Sequence, residues 1–239
     1  MDADTHIGGS QSRFPDTRVS VIALTRSADP GSRRQAHEAI IEAYWKPVYK
    51  YLRLLRNLDN ETAKDLTQGF FALAFEKCVF DSYEFEKGNF RTYLRTCVDA
   101  FARNEQKRAG HLKRGGGSRL LSLDYADAPS ESSLDEFFHR EWVRSLYSLA
   151  IEDLRMAYRS NGKETALRVF ERYDLSESES RPTYADLAHE IGITTITLTN
   201  YLAAVRREFR KAVLNRLRAL TADEREFRLE ARAVLGIEV

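Results

Sequence analysis

Between Thr194 and Lys211 the chain reads TTITLTNYLAAVRREFRK, and two chemistries follow one another in it. Thr195, Thr197, Thr199, Asn200 and Tyr201 carry hydroxyl and amide groups suited to hydrogen bonds with base edges. Arg206, Arg207, Arg210 and Lys211 lie too far along to read the same bases and carry cations suited to phosphate or to packing on a protein partner. A second set lies earlier: Arg91, Arg95, Arg103, Lys107 and Arg108 form a basic ladder, largely at four-residue steps, with Tyr93 among them. From Lys87 to Arg114 the excess is six positive charges, which the formal net charge of +1 for the whole chain conceals. Tyr93 is the expected stacking surface for an unpaired base, whereas Phe90 and Phe101 are expected in a core, since aromatics at helical spacing usually pack.

Catalytic spacing is not apparent. The histidines at 6, 37, 111, 139 and 189 are scattered without metal-ligand intervals, and Cys78 and Cys97 sit in apolar patterns where thiols behave as small hydrophobes. Gly115 to Gly117 lacks the Lys-Ser/Thr ending of a phosphate-binding loop. Glu84, Glu86, Asp124 and Asp127 match no ion loop. The expectation is a protein with no enzymatic activity, no cofactor and no metal.

The elements that must position these groups are helical, so the expected fold class is all-α. The chain has 239 residues, 43% of them hydrophobic, and no apolar run long enough for a membrane span. Met1 to Ser20 lacks a basic start followed by an apolar stretch, so a cytoplasmic protein is expected. Ile41, Tyr44, Trp45, Val48, Leu52 and Leu55 line a helix from about residue 33 to 57, which Pro47 should kink or split. Asp59 or Asn60 caps a second helix with Ala63, Leu66, Phe70 and Leu73 inward, and a third runs from about Asn89 to Ala109. Glycines 115–117 end that helix. The expected organisation is an N-terminal extension at 1–30, a helical bundle at 31–114, a linker at 115–133, a second helical domain at 134–220 and a terminal helix at 221–239.

In the second domain, Thr183 and Asp186 read as a capping box. Ala188, Gly192 and Leu198 then have the spacing of a helix-turn-helix: a small residue for close approach, a glycine for the turn, and an anchor for the reading helix.

Several segments together resemble a known family. Asp65-Leu66-Thr67-Gln68 followed by Phe70-Phe71, then Gly88-Asn89-Phe90-Arg91-Thr92-Tyr93-Leu94, then Lys113-Arg114-Gly115-Gly116, ahead of a helix-turn-helix, are similar to sigma factors of the extracytoplasmic-function type in the sigma-70 family. Phe14-Pro15-Asp16-Thr17-Arg18 and Tyr44-Trp45-Lys46-Pro47 resemble a subgroup of these factors, so the likeness spans nearly the whole chain. It implies a region-2-like bundle, a flexible linker and a region-4-like helix-turn-helix domain. It implies that Asp65, Leu66, Gln68 and Phe71 dock on the clamp helices of the largest subunit of core RNA polymerase. It also implies that Arg91, Tyr93, Arg95, Arg103, Lys107 and Arg108 melt and grip the minus-ten promoter element. Thr195, Thr197, Thr199, Asn200, Tyr201, Arg206 and Arg210 would serve the minus-thirty-five element, and an anti-sigma factor is a further implied partner. Gly69 stands where the family often has Glu. Two other readings use the same residues: a helix-turn-helix regulator that works without polymerase, and a sigma-like adaptor that binds polymerase without reading DNA. The sigma reading requires Asp65 and Gln68 to be exposed, and two separate helical bodies to act together.

Overall fold

The computed structural model describes residues 20–55, 57–113, 130–176 and 181–236. The Phe14–Arg18 motif and nearly all of the expected linker lie outside these residues. Within them the chain is all-helical, with no strand. The main elements are α1 (Val21–Leu24), α2 (Pro30–Lys50), α3 (Asn60–Glu76), α4 (Phe90–Lys113), α5 (Glu131–Ser160), α6 (Glu164–Asp174), α7 (Tyr184–Ile191), α8 (Thr195–Ala219) and α9 (Glu224–Leu235).

Local sequence explains where they start. Asp29 accepts the Ser32 amide at 2.8 Å ahead of Pro30, whose missing N–H costs nothing at a first helical position. Asp59, rather than Asn60, caps α3 through the Thr62 amide at 2.9 Å. Pro47 does not split α2; the helix continues to Lys50 and then widens into a π-helical turn at Tyr51–Leu55. The disturbance thus falls one turn beyond the proline. Helix α5 ends where the Asn161-Gly162 turn was expected, with Gly162 at φ 64°.

The cores do not follow the boundaries expected from sequence. Helix α5 carries one stripe at four-residue intervals: Phe138, Trp142, Leu146, Ala150, Leu154 and Tyr158, all buried. Its first four members pack with Ile40, Tyr44, Val48, Leu52, Phe90 and Leu94 of the N-terminal bundle. Its last two pack with α6, α7 and the start of α8. Helix α8 does the same in reverse. Leu198, Leu202 and Val205 belong to the smaller core, Val213 and Leu217 to the larger, and Phe209 is half-buried against both. At about 1.5 Å per residue each helix is longer than a single small core, so each spans two.

Among the described residues the first half of α5 packs with the N-terminal bundle, and α5 and α8 each contribute to both cores. Ion pairs reinforce the joint. The Arg216 guanidinium donates to both Asp153 oxygens at 2.6 and 2.7 Å and to Glu42 at 2.7 Å, tying α8 to α5 and α2. Lys50 donates to the buried Glu141 at 2.6 Å. Burial alone would raise the Glu141 carboxyl, but Lys50 and Arg144 outweigh it and hold the group below its ordinary value.

Leu146→Ala should remove about 2–5 kcal/mol of stability, the range for a buried leucine. Because α5 is shared, amide hydrogen exchange in α6 and α7 should accelerate along with exchange in α2. Unchanged protection in α6 and α7 would show that the two cores unfold independently.

Candidate nucleic-acid interface

The reading element is built from two caps and one turn. The Thr183 hydroxyl accepts the Asp186 amide at 3.1 Å and donates to the Asp186 carboxylate at 2.7 Å, which starts α7. Leu187 and Ala188 are buried on its inner face. Gly192 follows at φ 75°, in the left-handed region. A Cβ there would meet nothing within 4 Å, so the turn needs glycine for backbone conformation and not for space. Thr194 then caps α8 by accepting the Thr197 amide at 3.1 Å, and Leu198 anchors it with no exposed surface. α7, the turn and α8 have the shape of a helix-turn-helix, with Thr194, Thr195 and Ile196 exposed where α8 begins.

The structure divides the residues expected on that helix. Thr195, Thr199 and Asn200 are exposed on one face. Thr197 is half-buried, its hydroxyl engaged with that of Thr194 at 2.9 Å, so it is a capping partner instead of a reading group. Tyr201 is half-buried against the smaller core. Arg206 is bound to Asp174 through two hydrogen bonds of 2.8 Å and lies 5.7 Å from the Tyr173 ring centroid. Hydrogen bonding to Asp174 raises its pKa further above the ordinary arginine value. Arg206 thus fastens α8 to α6 while remaining exposed, as are Arg207, Arg210 and Lys211, which lie further along the helix. Sequence reasoning passed over Ile196, which shares the exposed face with Thr195, Thr199 and Asn200. The available signal was its position off the Leu198–Leu202–Val205 stripe.

The basic ladder on α4 is also divided. Arg95 is 2% exposed, donating to Asp99 at 2.8 Å and to Asp135 of α5 at 2.6 Å. In this structure it is an internal cation paired with two carboxylates. A four-residue period along α4 places Arg95 on the side that α5 covers, and no feature of the sequence announces that cover. Arg91 is largely buried, paired with Glu230 of α9 and 5.1 Å from the Trp142 ring centroid. Tyr93 is half-buried, with its hydroxyl donating to the Val79 carbonyl at 2.6 Å, and so does not offer a free stacking face. Arg103, Lys107 and Arg108 remain exposed, Arg108 beside Glu105 at 2.8 Å.

On α3, Asp65 and Gln68 are exposed and share an edge, three residues apart. Leu66 is half-buried against the larger core. Phe71 is buried, with its ring 6.0 Å from Trp45 and 5.2 Å from Phe70, so it is a core residue and not a docking contact. Gly69 lies against the Phe101 ring, where an added Cβ would come within 3.4 Å. Cys78, expected in an apolar helical pattern, is instead exposed between α3 and the turn that follows it, and both cysteines are free.

Helix α9 closes the base of α4. Asp223 caps it, and Glu226, 2% exposed, accepts from the Tyr83 hydroxyl at 2.9 Å, the Ala222 amide at 2.5 Å and the Phe90 amide at 3.3 Å. Burial pushes the Glu226 carboxyl above its ordinary value, and neighbouring Glu230 adds to this, although the three donors oppose it. Among the described residues no helix is long and apolar enough to cross a membrane, and no group of three His, Cys, Asp or Glu is placed to hold a metal.

No protein-family model, curated protein or solved structure matches this chain.

The buried carboxyl gives a pH signature with a definite sign. When the folded-state value lies above the unfolded one, the group's contribution is most favourable below about 4.5 and is lost as pH rises through the raised value. Glu226→Gln should remove that component. Its stability relative to the unaltered chain should increase steadily from pH 4.5 toward neutrality in urea titrations. Parallel curves across that window would reject the assignment.

Proposed function

We propose that the chain is a sigma-type transcription initiation factor, which docks on core RNA polymerase through the Asp65–Gln68 edge and reads duplex promoter DNA with the start of α8. The observation that carries this reading is the helix-turn-helix, with its exposed face of Thr195, Thr199 and Asn200 and with Arg207, Arg210 and Lys211 further along the same helix. Neutral hydrogen-bonding groups at the N-terminus of the second helix suit base edges, and cations beyond them suit phosphate. The exposed carboxylate and amide on α3 supply the second contact that the sigma resemblance requires. In this reading α4 contributes Arg103, Lys107 and Arg108 to the minus-ten element, while Arg91, Tyr93 and Arg95 hold the fold together. The region-2-like and region-4-like parts share α5 and α8 in the free chain, and the sigma reading has them part on core polymerase.

The shared core favours a second reading. A helix-turn-helix regulator that acts without polymerase needs no separate bodies and no docking edge. Run-off transcription distinguishes the two. Adding the protein to core polymerase should yield promoter-specific transcripts from native DNA. Asp65→Ala combined with Gln68→Ala should lower their yield at least tenfold without altering the circular dichroism spectrum. If no native template gives specific transcripts while duplex DNA is still bound, the regulator reading replaces the sigma reading. Undiminished transcription by the double variant removes the docking edge alone.

A further inference from the structure

Ile196 is 74% exposed, more than Met156, Leu54, Leu229 or Leu73, the other large hydrophobic side chains left on the surface among the described residues. It is the second residue of α8, roughly 200° around the helix from the buried anchor Leu198. Around it lie Thr195, Thr199, Asn200 and Ala203, all exposed and all uncharged. The Thr199 hydroxyl donates to the Thr195 carbonyl at 2.9 Å, so its hydrogen bond is made within the helix and its methyl group is left without a polar task. The face therefore carries an isoleucine side chain, a threonine methyl and the Asn200 amide, with no guanidinium or ammonium group among them.

That composition selects among base pairs. Guanine is read most effectively by a bidentate cation at O6 and N7, and the first turns of this face hold none, Arg207 and Arg210 following only about three turns or more beyond Ile196. Adenine offers N7 as acceptor and N6 as donor, the pattern a carboxamide matches with two hydrogen bonds. Thymine alone places a methyl group in the major groove, and apolar side chains recognise it. Arg206, the nearest cation along the helix, is held by Asp174 and does not swing toward this face without breaking two hydrogen bonds.

We infer that Ile196 is a specificity-determining residue that seats against a thymine methyl in the major groove, beside an adenine read by Asn200, so that the duplex element recognised is A·T in character at these positions. The inference rests on the reading of α8 as a DNA-reading helix and adds to it which bases that helix prefers.

The test uses the full-length chain, alone and with core RNA polymerase, to select from a random duplex library. Each thymine of the selected duplex is then replaced in turn by deoxyuridine, which keeps base pairing and removes only the methyl group. Binding is measured by fluorescence anisotropy at one fixed salt concentration, since phosphate contacts make affinity salt-dependent. One thymine should prove sensitive, with uracil weakening binding about fourfold, the factor expected for one buried methyl-sized group. Ile196→Ala should weaken binding to the thymine duplex and lose the distinction between thymine and uracil at that position, and Ile196→Val should retain it. Because the side chain is exposed, neither substitution should disturb folding, as circular dichroism will show. If Ile196→Ala still discriminates thymine from uracil as the unaltered chain does, or if the selected element has no methyl-sensitive thymine, the inference is overturned while DNA reading by α8 stands. If selection enriches no sequence in either arm, both fall together.

Discussion

The arrangement of this protein depends on one constraint: the apolar stripe of α5 is longer than either of the cores it serves. Six side chains at four-residue steps, from Phe138 to Tyr158, are buried without interruption, and they change partners between Ala150 and Leu154. A continuous helix cannot bend freely between its halves, so burying both ends of the stripe fixes the two cores in one orientation. Helix α8 repeats the solution antithetically, with Leu198, Leu202 and Val205 in the smaller core at one end and Val213 and Leu217 in the larger core at the other. The exposed start of α8 is therefore held in part by packing that lies about five to six turns away, on the N-terminal bundle.

Charge placement follows from the same geometry. Arginines on α4 looked like a ladder for phosphate because periodicity reveals which residues share a face and not what covers that face. Once α5 and α9 pack there, a guanidinium at 95 must find carboxylates or leave water uncompensated, and Asp99 and Asp135 provide them. Arg91 meets Glu230 and the Trp142 ring for the same reason. These acids come from 40 to 139 residues further along the chain, or from the next turn of the same helix. Only the last kind is visible in a local reading. The exposed members of the series, Arg103, Lys107 and Arg108, lie further along α4 than the arginines that α5 and α9 cover.

Features governed by a few adjacent residues were legible in the sequence. The Thr183 and Asp186 cap, the left-handed Gly192, the Leu198 anchor, the Asn161-Gly162 stop and the all-helical character each depend on local backbone chemistry. The exposed pair Asp65 and Gln68 was legible because polar residues on an amphipathic helix take the solvent side. Periodicity places Phe71 beside the inward stripe of α3, and its ring joins a cluster with Trp45, Phe70 and Phe75. The partners of α5 and α8 were not legible, because glycine and serine mark where a chain leaves a helix and carry no information about where the next helix packs. Thr197 and Tyr201 misled at a finer scale: residues two apart on a helix face different ways, and a run of hydroxyl-bearing residues alternates between cap, core and surface.

Whether the two cores can part on a partner is decided by magnitude. Freeing the N-terminal bundle from α5, α8 and α9 exposes Phe138, Trp142, Leu146, Val213, Leu217 and Phe227, all within the larger core. At about 1.5–3 kcal/mol for each large apolar side chain, the cost is on the order of 10 kcal/mol. That is comparable to the whole stability of a typical domain, roughly 5–15 kcal/mol. A short DNA duplex, bound through phosphates and base edges, offers no apolar surface to cover those residues. Only a large protein surface that buries a similar area can offset the loss. A hinged, two-body mode of action thus belongs with a polymerase-sized partner, whereas duplex reading alone leaves the cores joined and uses the α8 face as it stands.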